Sequence, residues 1–229
     1  RIISDDNSVF SEYLDSNPGW STQGQWAFGV PQGLGGDVGG YPDPTSGYTG
    51  TNVWGYNLAG DYSNNISAVR YLTTPAINCA NRKDVTLHFQ RWLGVEYGYF
   101  DKATVQVSTN GTNWITAWSN DLFSGVWDPG WTNVQYNISS VADGCPTVFI
   151  RWGMGPSDYV YNYCGWNIDD IEVYGAYVPP GMTRFAFATS SREVAEQPGT
   201  AVVTVVRSWD TGLVATVGYT TSNGTAIAG

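Results

Sequence analysis

The sequence predicts an all-β chain folded as an antiparallel β-sandwich or barrel with long loops. Glycine accounts for 28 of its 229 residues, Asp outnumbers Glu by 15 to 5, and there are only two lysines, Lys83 and Lys102. Turns favour Gly, Asn and Asp, whereas helical surfaces favour Glu and Lys. Tryptophan (11) and tyrosine (15) are also abundant, as is typical of extracellular β-proteins with long loops. This profile argues against a helical or doubly wound α/β enzyme.

The chain is acidic. Its 10 Lys and Arg against 20 Asp and Glu give a formal net charge of −10 at pH 7. Phosphate backbones and anionic lipid surfaces repel such a chain, so we expect no nucleic-acid or membrane-surface partner. No apolar run approaches the ~18 residues that a membrane-spanning helix needs, so we expect no membrane insertion.

Strand-like segments alternate with turns along the first 177 residues, and none shows helical periodicity. They are Val53–Leu58, Ala68–Ile77, Val85–Leu93, Ala103–Ser108, Trp114–Trp118, Thr132–Ile138, Thr147–Met154 and Trp166–Tyr174. Asn110-Gly111 lies between two of them and predicts a hairpin turn. Residues 31–50 form a long Gly/Pro/Asp loop, and loops of that length are usually functional or ordered by a metal.

A stiff Pro/Gly linker at residues 178–183 separates a first domain, residues 1–177, from residues 184–229. Alternating, β-branched segments follow the linker at Phe185–Ala188, Ala201–Arg207 and Leu213–Thr220. The 46 residues from 184 to 229 bury too little surface to be secure alone, and their last strand leaves an open edge. Self-assembly through this piece is therefore one candidate interaction.

Five motifs of the first domain occur in an order known from secreted bacterial proteins. They are Leu14-Asp15-Ser16-Asn17-Pro18-Gly19-Trp20, Gly50-Thr51-Asn52-Val53-Trp54-Gly55, Tyr71-Leu72-Thr73-Thr74-Pro75-Ala76-Ile77, Phe100-Asp101-Lys102-Ala103-Thr104-Val105-Gln106-Val107-Ser108 and Gly165-Trp166-Asn167-Ile168-Asp169-Asp170-Ile171. Residues 10–175 thus resemble jelly-roll accessory domains of the cleaved-adhesin, choice-of-anchor and immune-inhibitor-A C-terminal type, which are distantly similar to MAM domains. The resemblance implies two stacked antiparallel sheets, frequent calcium, and adhesion or carbohydrate binding beside another domain. The family usually has Glu where this chain has Asp15.

The second piece resembles the first half of a Calx-beta domain. The resemblance rests on Val194-Ala195-Glu196, Thr204-Val205-Val206-Arg207 and Tyr219-Thr220-Thr221-Ser222-Asn223-Gly224-Thr225-Ala226-Ile227-Ala228-Gly229. It implies a partial Greek-key sandwich whose remaining strands are cut off, disordered or supplied by another molecule. The predicted fold class is therefore an all-β antiparallel sandwich (jelly roll) followed by a partial Greek-key β-sandwich.

The strongest chemical signal is Asp169-Asp170. Trp166 and Ile168 share one strand face, but Ile171 resumes the apolar pattern one residue out of phase, which predicts a β-bulge at the two carboxylates. Adjacent carboxylates repel unless a cation is near, and Ca²⁺ binds about six to eight oxygens from carboxylates and carbonyls. We therefore expect a structural calcium ion. Its candidate ligands are Asp15, Asp43, Asp61, Asn65, Asp169 and Asp170.

Two arginines each precede a tryptophan, at Arg91-Trp92 and Arg151-Trp152. Strand alternation places Arg91 on or at the edge of the apolar face that begins at Val85, and an arginine near a core needs a carboxylate partner. Asp101 is the candidate for that partner. An alternative to calcium is that one of the two adjacent carboxylates pairs with Arg91 or Arg151, or caps a turn.

The tryptophans suggest sugar binding, because sugar C–H faces stack on flat rings while polar neighbours bond the hydroxyls. Most of them are expected to fill the core. The candidates for ligand contact lie in predicted loops, on polar strand faces or in the aromatic row before the last strand. They are Trp92, Trp118, Trp127, Trp131, Tyr159 and Tyr161.

The three cysteines permit one disulfide. In the resembled jelly rolls the strand that ends near Ile77 pairs with the final strand, which implies a Cys79–Cys164 disulfide with Cys145 left as a buried thiol. Cys79–Cys145 stays open as the alternative. Zinc is not expected, because the chain has no CxxC motif and a single histidine.

Catalysis is not expected from this chain. His88 is the sole histidine and lies mid-strand with no serine located beside it, while Glu96 and Glu172 are the first suspects for a glycosidase carboxylate pair. We expect a secreted or cell-surface module that binds a glycan or a surface protein within a larger protein. The alternatives are a subunit of an extracellular filament or surface layer, and an accessory domain of a secreted peptidase or glycosidase.

Overall fold

The computed structural model divides the chain between Tyr177 and Val178 into two units. It describes residues 7–181, 183–190, 202–209, 214–220 and 222. The elements of the first unit are β1 (Ser8–Glu12), β2 (Ser21–Thr22), β3 (Trp26–Gly29), β4 (Val53–Tyr56), β5 (Arg70–Thr73), β6 (Arg82–Val95), β7 (Ala103–Ser108), β8 (Ile115–Ser119), β9 (Val126–Trp127), β10 (Thr132–Asn137), α1 (Ser139–Ala142), β11 (Phe149–Met154) and β12 (Gly165–Tyr177).

The strands of the first unit form two antiparallel sheets. The seven-stranded sheet has the order β10-β6-β12-β4-β3, with β1 also paired to β12 and β9 to β6. The five-stranded sheet has the order β2-β5-β11-β7-β8. The prediction of an all-β antiparallel sandwich is confirmed. The central strands β6 and β12 are the longest, with 14 and 13 residues.

Aromatic side chains join the inner faces of the two sheets. Trp20 stacks on Trp152 of the five-stranded sheet at 5.9 Å and on Trp54 of the seven-stranded sheet at 6.1 Å. Phe89 of β6 meets Trp152 edge-on at 5.4 Å. All four side chains are buried, and truncating one such ring costs about 3–5 kcal/mol. With the core filled in this way, the loops and the outer sheet faces remain for function.

The predicted hairpin at Asn110-Gly111 is confirmed. It joins the antiparallel strands β7 and β8, with Gly111 at φ +72°. The Asn110 Oδ1 atom accepts the backbone N–H groups of Thr112 and Asn113 at 3.0 and 2.8 Å. The sequence does not predict β1, β2, β3, β9 or α1, because elements of two to five residues carry too little periodicity.

The predicted partner of Arg91 is wrong. Arg91 lies near the core as alternation predicts, but its guanidinium pairs with Asp128 at 2.8 Å rather than with Asp101. Asp128 directly follows β9, whose pairing with the end of β6 is not predicted from the sequence. Asp101 instead accepts hydrogen bonds from the Tyr62 hydroxyl and from the Asp158 N–H.

The predicted Cys79–Cys164 disulfide is also wrong, because all three cysteines are free thiols. The segment that ends at Ile77 bridges Val148, next to β11 in the five-stranded sheet. Cys164 lies against Gly94 near the end of β6, whereas the Cys79 carbonyl accepts the N–H of Arg82 at the start of β6, so the two cysteines lie at opposite ends of that strand. The neighbour of Cys79 is Cys145, whose carbonyl accepts the Cys79 N–H at 2.9 Å.

The second unit contains a two-stranded antiparallel sheet of β13 (Thr183–Phe187) and β14 (Val205–Trp209). Two of the three predicted segments overlap these strands, whereas residues 214–220 form no strand. Of the Calx-beta motifs, Val194-Ala195-Glu196 and residues 223–229 lie outside the described residues. The Calx-beta resemblance therefore stays a prediction.

Candidate functional site

The two adjacent carboxylates occupy a β-bulge in β12, as predicted. The pairing of β12 with β6 shifts register between Asp169 and Glu172, and Asp170 has a φ of +46°. Aspartate is among the few residues that adopt this left-handed conformation at low cost. The bulge leaves Asp169 fully buried and Asp170 half-buried.

The loop that follows residue 46 packs onto this bulge. The Thr49 N–H donates to Asp169 Oδ2 at 3.1 Å, and the Thr49 hydroxyl donates to Asp170 Oδ1 at 2.5 Å. The Asn52 side-chain amide donates to the carbonyl of Leu14 at 3.2 Å, which ties the same loop to the segment after β1. The segment after β1, the long loop and β12 therefore meet at the bulge.

Oxygen atoms of the loop and of β12 surround Gly47 at this point. A methyl group built on Gly47 would lie 2.4 Å from the Thr49 carbonyl oxygen, 2.7 Å from that of Asn52 and 2.8 Å from Asp169 Oδ2. Only a glycine fits at this position without displacing one of the three oxygens. Asp15 lies close enough that its charge raises the pKa of Asp170, after the larger effects of burial and Glu172.

The electrostatics of the bulge favour a cation. Burial raises the pKa of Asp169 from 3.8 to about 6, and the charge of Asp170 adds to this effect. The arginines do not neutralise the pair, since Arg91 bonds a carboxylate elsewhere and Arg151 donates to Gln106 Oε1 at 2.8 Å. Carboxylate and carbonyl oxygens of this kind are the ligands that Ca²⁺ prefers.

The other three candidate ligands make contacts away from the bulge. Asp43 accepts the Gly60 N–H at 3.0 Å and the Asn167 side-chain amide at 2.7 Å, which ties the long loop to β12 two residues before Asp169. Asp61 accepts the Gly36 N–H at 2.9 Å. Burial raises the pKa of Asp43 from 3.8 to about 7. Asn65 turns the backbone through the left-handed region at φ +59°. The structure therefore brings Asp15, and not these three, to the bulge.

Two aromatic candidates, Trp92 and Trp131, lie together on the outer side of the seven-stranded sheet. Their rings meet edge-on at 5.9 Å, and Trp131 also contacts Tyr48 at 6.4 Å. The Trp92 indole N–H donates to the Pro42 carbonyl at 3.0 Å. Both tryptophans are half-buried, so they serve mainly to hold the long loop against the sheet.

Three loops converge at the end of the sandwich where β6 ends and β12 begins. They comprise residues 97–102, 120–127 and 156–163. The Gly98 N–H donates to the Asp121 carbonyl at 2.7 Å, and the Lys102 N–H donates to the Pro156 carbonyl at 3.0 Å. Backbone bonds therefore hold the loops in a defined arrangement.

These loops expose seven large aromatic side chains, with exposed fractions of 39–80%. We call this set the loop-end surface: Tyr97, Tyr99, Phe100, Phe123, Trp127, Tyr159 and Tyr161. The Tyr97 and Trp127 rings lie 6.2 Å apart, and the Tyr99 and Phe100 rings 5.0 Å apart. Exposed apolar groups concentrated in one region commonly mark a binding site. Trp127, Tyr159 and Tyr161 are candidates that the sequence predicts.

Trp118, another candidate, lines a cavity of about 540 Å³ beside the loop that carries Phe123. One side of its ring packs edge-on against Trp166 at 5.6 Å, and the Arg91 guanidinium lies 5.5 Å from the ring centre. Polar groups, including Asp121 and Ser124, line the same cavity. An indole beside hydrogen-bonding groups suits a sugar ring.

The suspected carboxylate pair of Glu96 and Glu172 is wrong. Glu172 lies opposite His88 on β6. Glu96 lies eight residues beyond His88, in the direction in which β6 runs. At about 3.3 Å per residue the two carboxylates are roughly 26 Å apart, whereas a glycosidase pair is about 5–10 Å apart. His88 itself lies 3.0 Å from the Thr86 hydroxyl, and burial lowers its pKa.

Four members of the loop-end surface are not among the predicted candidates. Tyr97, Tyr99 and Phe100 sit in a Tyr-Gly-Tyr-Phe-Asp turn, and Phe123 follows a turn at Asp121. Aromatic residues inside a glycine or aspartate turn have no core to enter, and this signal could have identified them. Their proximity to residues 156–163 has no local signal.

No protein-family model matches the chain. The chain is 27% identical over 157 residues to Bacillopeptidase F of Bacillus subtilis (strain 168), and the match covers 67% of this chain but only 10% of that protein. The chain therefore spans about a tenth of that relative's length. Among the described residues, no helix has the length and apolar character to cross a membrane.

Solved structures that resemble the chain include the following three. SGBP-B from a xyloglucan utilization locus in Bacteroides uniformis is 16% identical, with 74% of this chain and 50% of that chain covered and a TM-score of 0.47. A CBM22-1 xylan-binding domain from Paenibacillus barcinonensis is 10% identical, with 76% and 97% covered and a TM-score of 0.43. The K3 cleaved adhesin domain of Lys-gingipain from Porphyromonas gingivalis w83 is 15% identical, with 73% and 97% covered and a TM-score of 0.40. Likeness at this level identifies no functional residue in this chain.

Proposed function

We propose that this chain is a non-catalytic extracellular module, part of a larger secreted or cell-surface protein, that binds a glycan through the loop-end surface. The observation that carries the proposal is that three loops, joined by backbone hydrogen bonds, expose seven aromatic side chains, of which two pairs are in ring contact. A solvent-exposed aromatic surface is costly for a free protein and favourable when the C–H faces of a sugar cover it. Adhesion to a glycosylated surface protein would use the same contacts.

The charge of the chain narrows the ligand class. The formal net charge of −10 repels anionic polysaccharides. Asp121 and Ser124 in the neighbouring cavity offer acceptors and a donor for hydroxyl groups. The preferred ligand is therefore a neutral polysaccharide.

The proposal includes a structural calcium ion at the bulge in β12. Asp15, Asp169 and Asp170, with the carbonyl groups of Thr49 and Asn52, are the residues that would hold it. The oxygen-lined space beside Gly47 supports this assignment. A bound ion there would supply the positive charge that offsets the buried carboxylates and would fasten the long loop to the first and last strands.

The test is affinity electrophoresis of the chain and its variants on a panel of neutral polysaccharides that includes xylan and xyloglucan. We expect Trp127→Ala and Tyr97→Ala to weaken binding about 10-fold or more, since truncating a central aromatic contact costs roughly 2 kcal/mol or more. The matched control is Tyr177→Ala, an exposed tyrosine at the opposite end of β12. If both loop-end variants bind as tightly as the wild type, the loop-end surface is not the binding site. If no neutral polysaccharide retards the wild-type chain, the proposed ligand class is wrong.

A second candidate function is self-association through residues 184–229. The β13–β14 sheet exposes the adjacent Val205 and Val206, at 44% and 48%, although neighbouring strand residues point to opposite faces. Among the residues that the structure describes, no further strand pairs with this two-stranded sheet, and a sheet of two strands is marginal in isolation. Light scattering should then give a mass above that of the monomer, whereas a concentration-independent monomer would contradict this function.

A further inference from the structure

Three carboxylates lie directly beneath the loop-end surface. One side-chain oxygen from each of Glu96, Asp101 and Asp158 lies within 4.8 Å of the other two. Glu96 and Asp101 are buried, at 7% and 0% exposed, and Asp158 is half-buried. Asp101 and Asp158 lie in two of the loops, and Glu96 directly precedes the loop of residues 97–102, so the three residues are up to 62 positions apart in sequence.

One of these carboxylates lacks the partner that a buried polar atom requires. Glu96 Oε2 is inaccessible to solvent and has no hydrogen-bond donor among the residues that the structure describes. The three carboxylates also have no ion-pair partner within that part of the chain. Such an orphaned oxygen points to an ion or water that completes the site.

The other two carboxylates are already held in place. Asp101 accepts the Tyr62 hydroxyl on one oxygen and the Asp158 N–H on the other at 2.8 Å. Asp158 Oδ1 accepts the Val160 N–H at 2.8 Å. Each carboxylate oxygen has a second lone pair, so both side chains keep the capacity to bind a cation.

The backbone around the cluster is also fixed. The side-chain amide of the buried Asn120 donates to the carbonyl groups of Glu96 and Asp101, at 2.8 Å each. This amide ties the start and the end of the turn that carries Tyr97, Tyr99 and Phe100. The carboxylates are thus preorganised rather than brought together by chance on a flexible surface.

We propose that Glu96, Asp101 and Asp158 bind a second calcium ion. Ca²⁺ accepts about six to eight oxygens in irregular geometry, which three carboxylates and water can supply, whereas Mg²⁺ demands a near-octahedral site. Burial, followed by the charges of Asp101 and Asp158, raises the pKa of Glu96. A cation bound among the three carboxylates would offset this repulsion.

This site is distinct from the bulge in β12. Asp169 lies opposite Gln90 on β6, and Glu96 follows six residues later, which separates the two sites by roughly 20 Å. An ion at Glu96 would join the loop of residues 97–102 to the loop of residues 156–163. Calcium binding does not require the glycan proposal, but an effect on glycan affinity would rest on it.

The test is calorimetric titration of Ca²⁺ into the full 229-residue chain after removal of divalent ions, at pH 7. Glu96→Gln should lose one equivalent of calcium or bind it about 10- to 100-fold more weakly, the range seen for lost metal-site contacts. Asp158→Asn is the second variant, because it keeps an oxygen that accepts the Val160 N–H and lies nearer the surface. Asp170→Asn, at the bulge in β12, is the matched control. It should leave the calcium equivalent bound by the Glu96 cluster unchanged, even where it removes the equivalent bound at the bulge.

The outcomes separate the two calcium proposals. If Asp170→Asn alone reduces binding while Glu96→Gln and Asp158→Asn match the wild type, the second site does not exist. If the wild-type chain binds no calcium, the proposal is overturned. Circular dichroism at 25 °C checks that each variant is folded.

Discussion

Replacing Asp128 by Asn should destabilise the first unit, because it removes the negative partner of a buried arginine. Asp128 is 8% exposed and accepts three hydrogen bonds, from Arg91 Nε at 2.8 Å, Arg91 Nη2 at 2.9 Å and the Leu93 N–H at 3.0 Å. The Arg91 side chain is itself only 12% exposed. In Asp128→Asn an amide group would face the guanidinium donors, and the arginine charge would remain buried without compensation.

The expected loss of unfolding free energy follows from the burial of this ion pair. Breaking a buried ion pair by removing one partner costs about 3–5 kcal/mol. Asparagine keeps one acceptor oxygen, which could still serve Leu93, so we take the lower end, about 3 kcal/mol. For a unit of this size a loss of 1 kcal/mol lowers Tm by roughly 2–4 °C, and the expected decrease is therefore about 6–12 °C.

Thermal unfolding followed by tryptophan fluorescence measures this decrease. The matched control is Asp121→Asn, the same substitution in the preceding exposed loop, where the side-chain oxygen accepts the Phe123 N–H at 2.8 Å and asparagine can do the same. We expect this control to stay within about 0.5 kcal/mol of the wild type. Replacing both Arg91 and Asp128 by apolar residues of similar volume should recover most of the loss. An Asp128→Asn variant that melts no lower than the Asp121→Asn control would refute the reasoning.

Three further predictions concern the bulge and the cysteines. Burial raises the pKa of Asp169 to about 6 and that of Asp43 to about 7. The calcium-free folded chain then holds more protons than the unfolded chain above pH 4, and its unfolding free energy should fall between pH 4.5 and 7, by about 2 kcal/mol for Asp169. Urea unfolding at pH 4.5 and 7 measures this, and a pH slope as steep in Asp169→Asn would contradict it. Gly47→Ala should lower Tm and reduce the calcium-induced rise in Tm, because the added methyl displaces oxygens of the bulge; an unchanged calcium response would argue against an ion there. Mild oxidation should join Cys79 to Cys145, its backbone neighbour, and peptide mapping that finds either joined to the remaining cysteine would disprove this pairing.

Local patterns are enough to predict much of the first unit. The alternation Val85, Leu87, Phe89 predicts the core face of β6, and all three residues are fully buried. The same alternation predicts that Arg91 lies near the core. The phase break at Asp169-Asp170 predicts the bulge that the structure contains. These features depend on residues a few positions apart, so strand geometry alone determines them.

Contacts between distant segments are decided by strand order and register. Arg91 pairs with Asp128 because β9 lies beside β6, and Cys79 meets Cys145 because its segment belongs to the five-stranded sheet. Residue chemistry alone offers several carboxylates for the arginine and two partners for the cysteine. The sheet pairing selects one of them in each case.

The sequence by itself determined an acidic, all-β first unit with a hairpin at Asn110-Gly111 and a carboxylate bulge in its last long strand. Only the tertiary structure assembled the loop-end surface, the cavity beside Trp118 and the cluster around Glu96. The physical reason is that a strand pattern repeats every two residues and is readable locally, whereas a binding site is formed by loops that meet only after the sheets have packed. The buried aromatic core supplies the free energy of that packing. The loop sequences therefore contain no repeating pattern that predicts the positions of the loops.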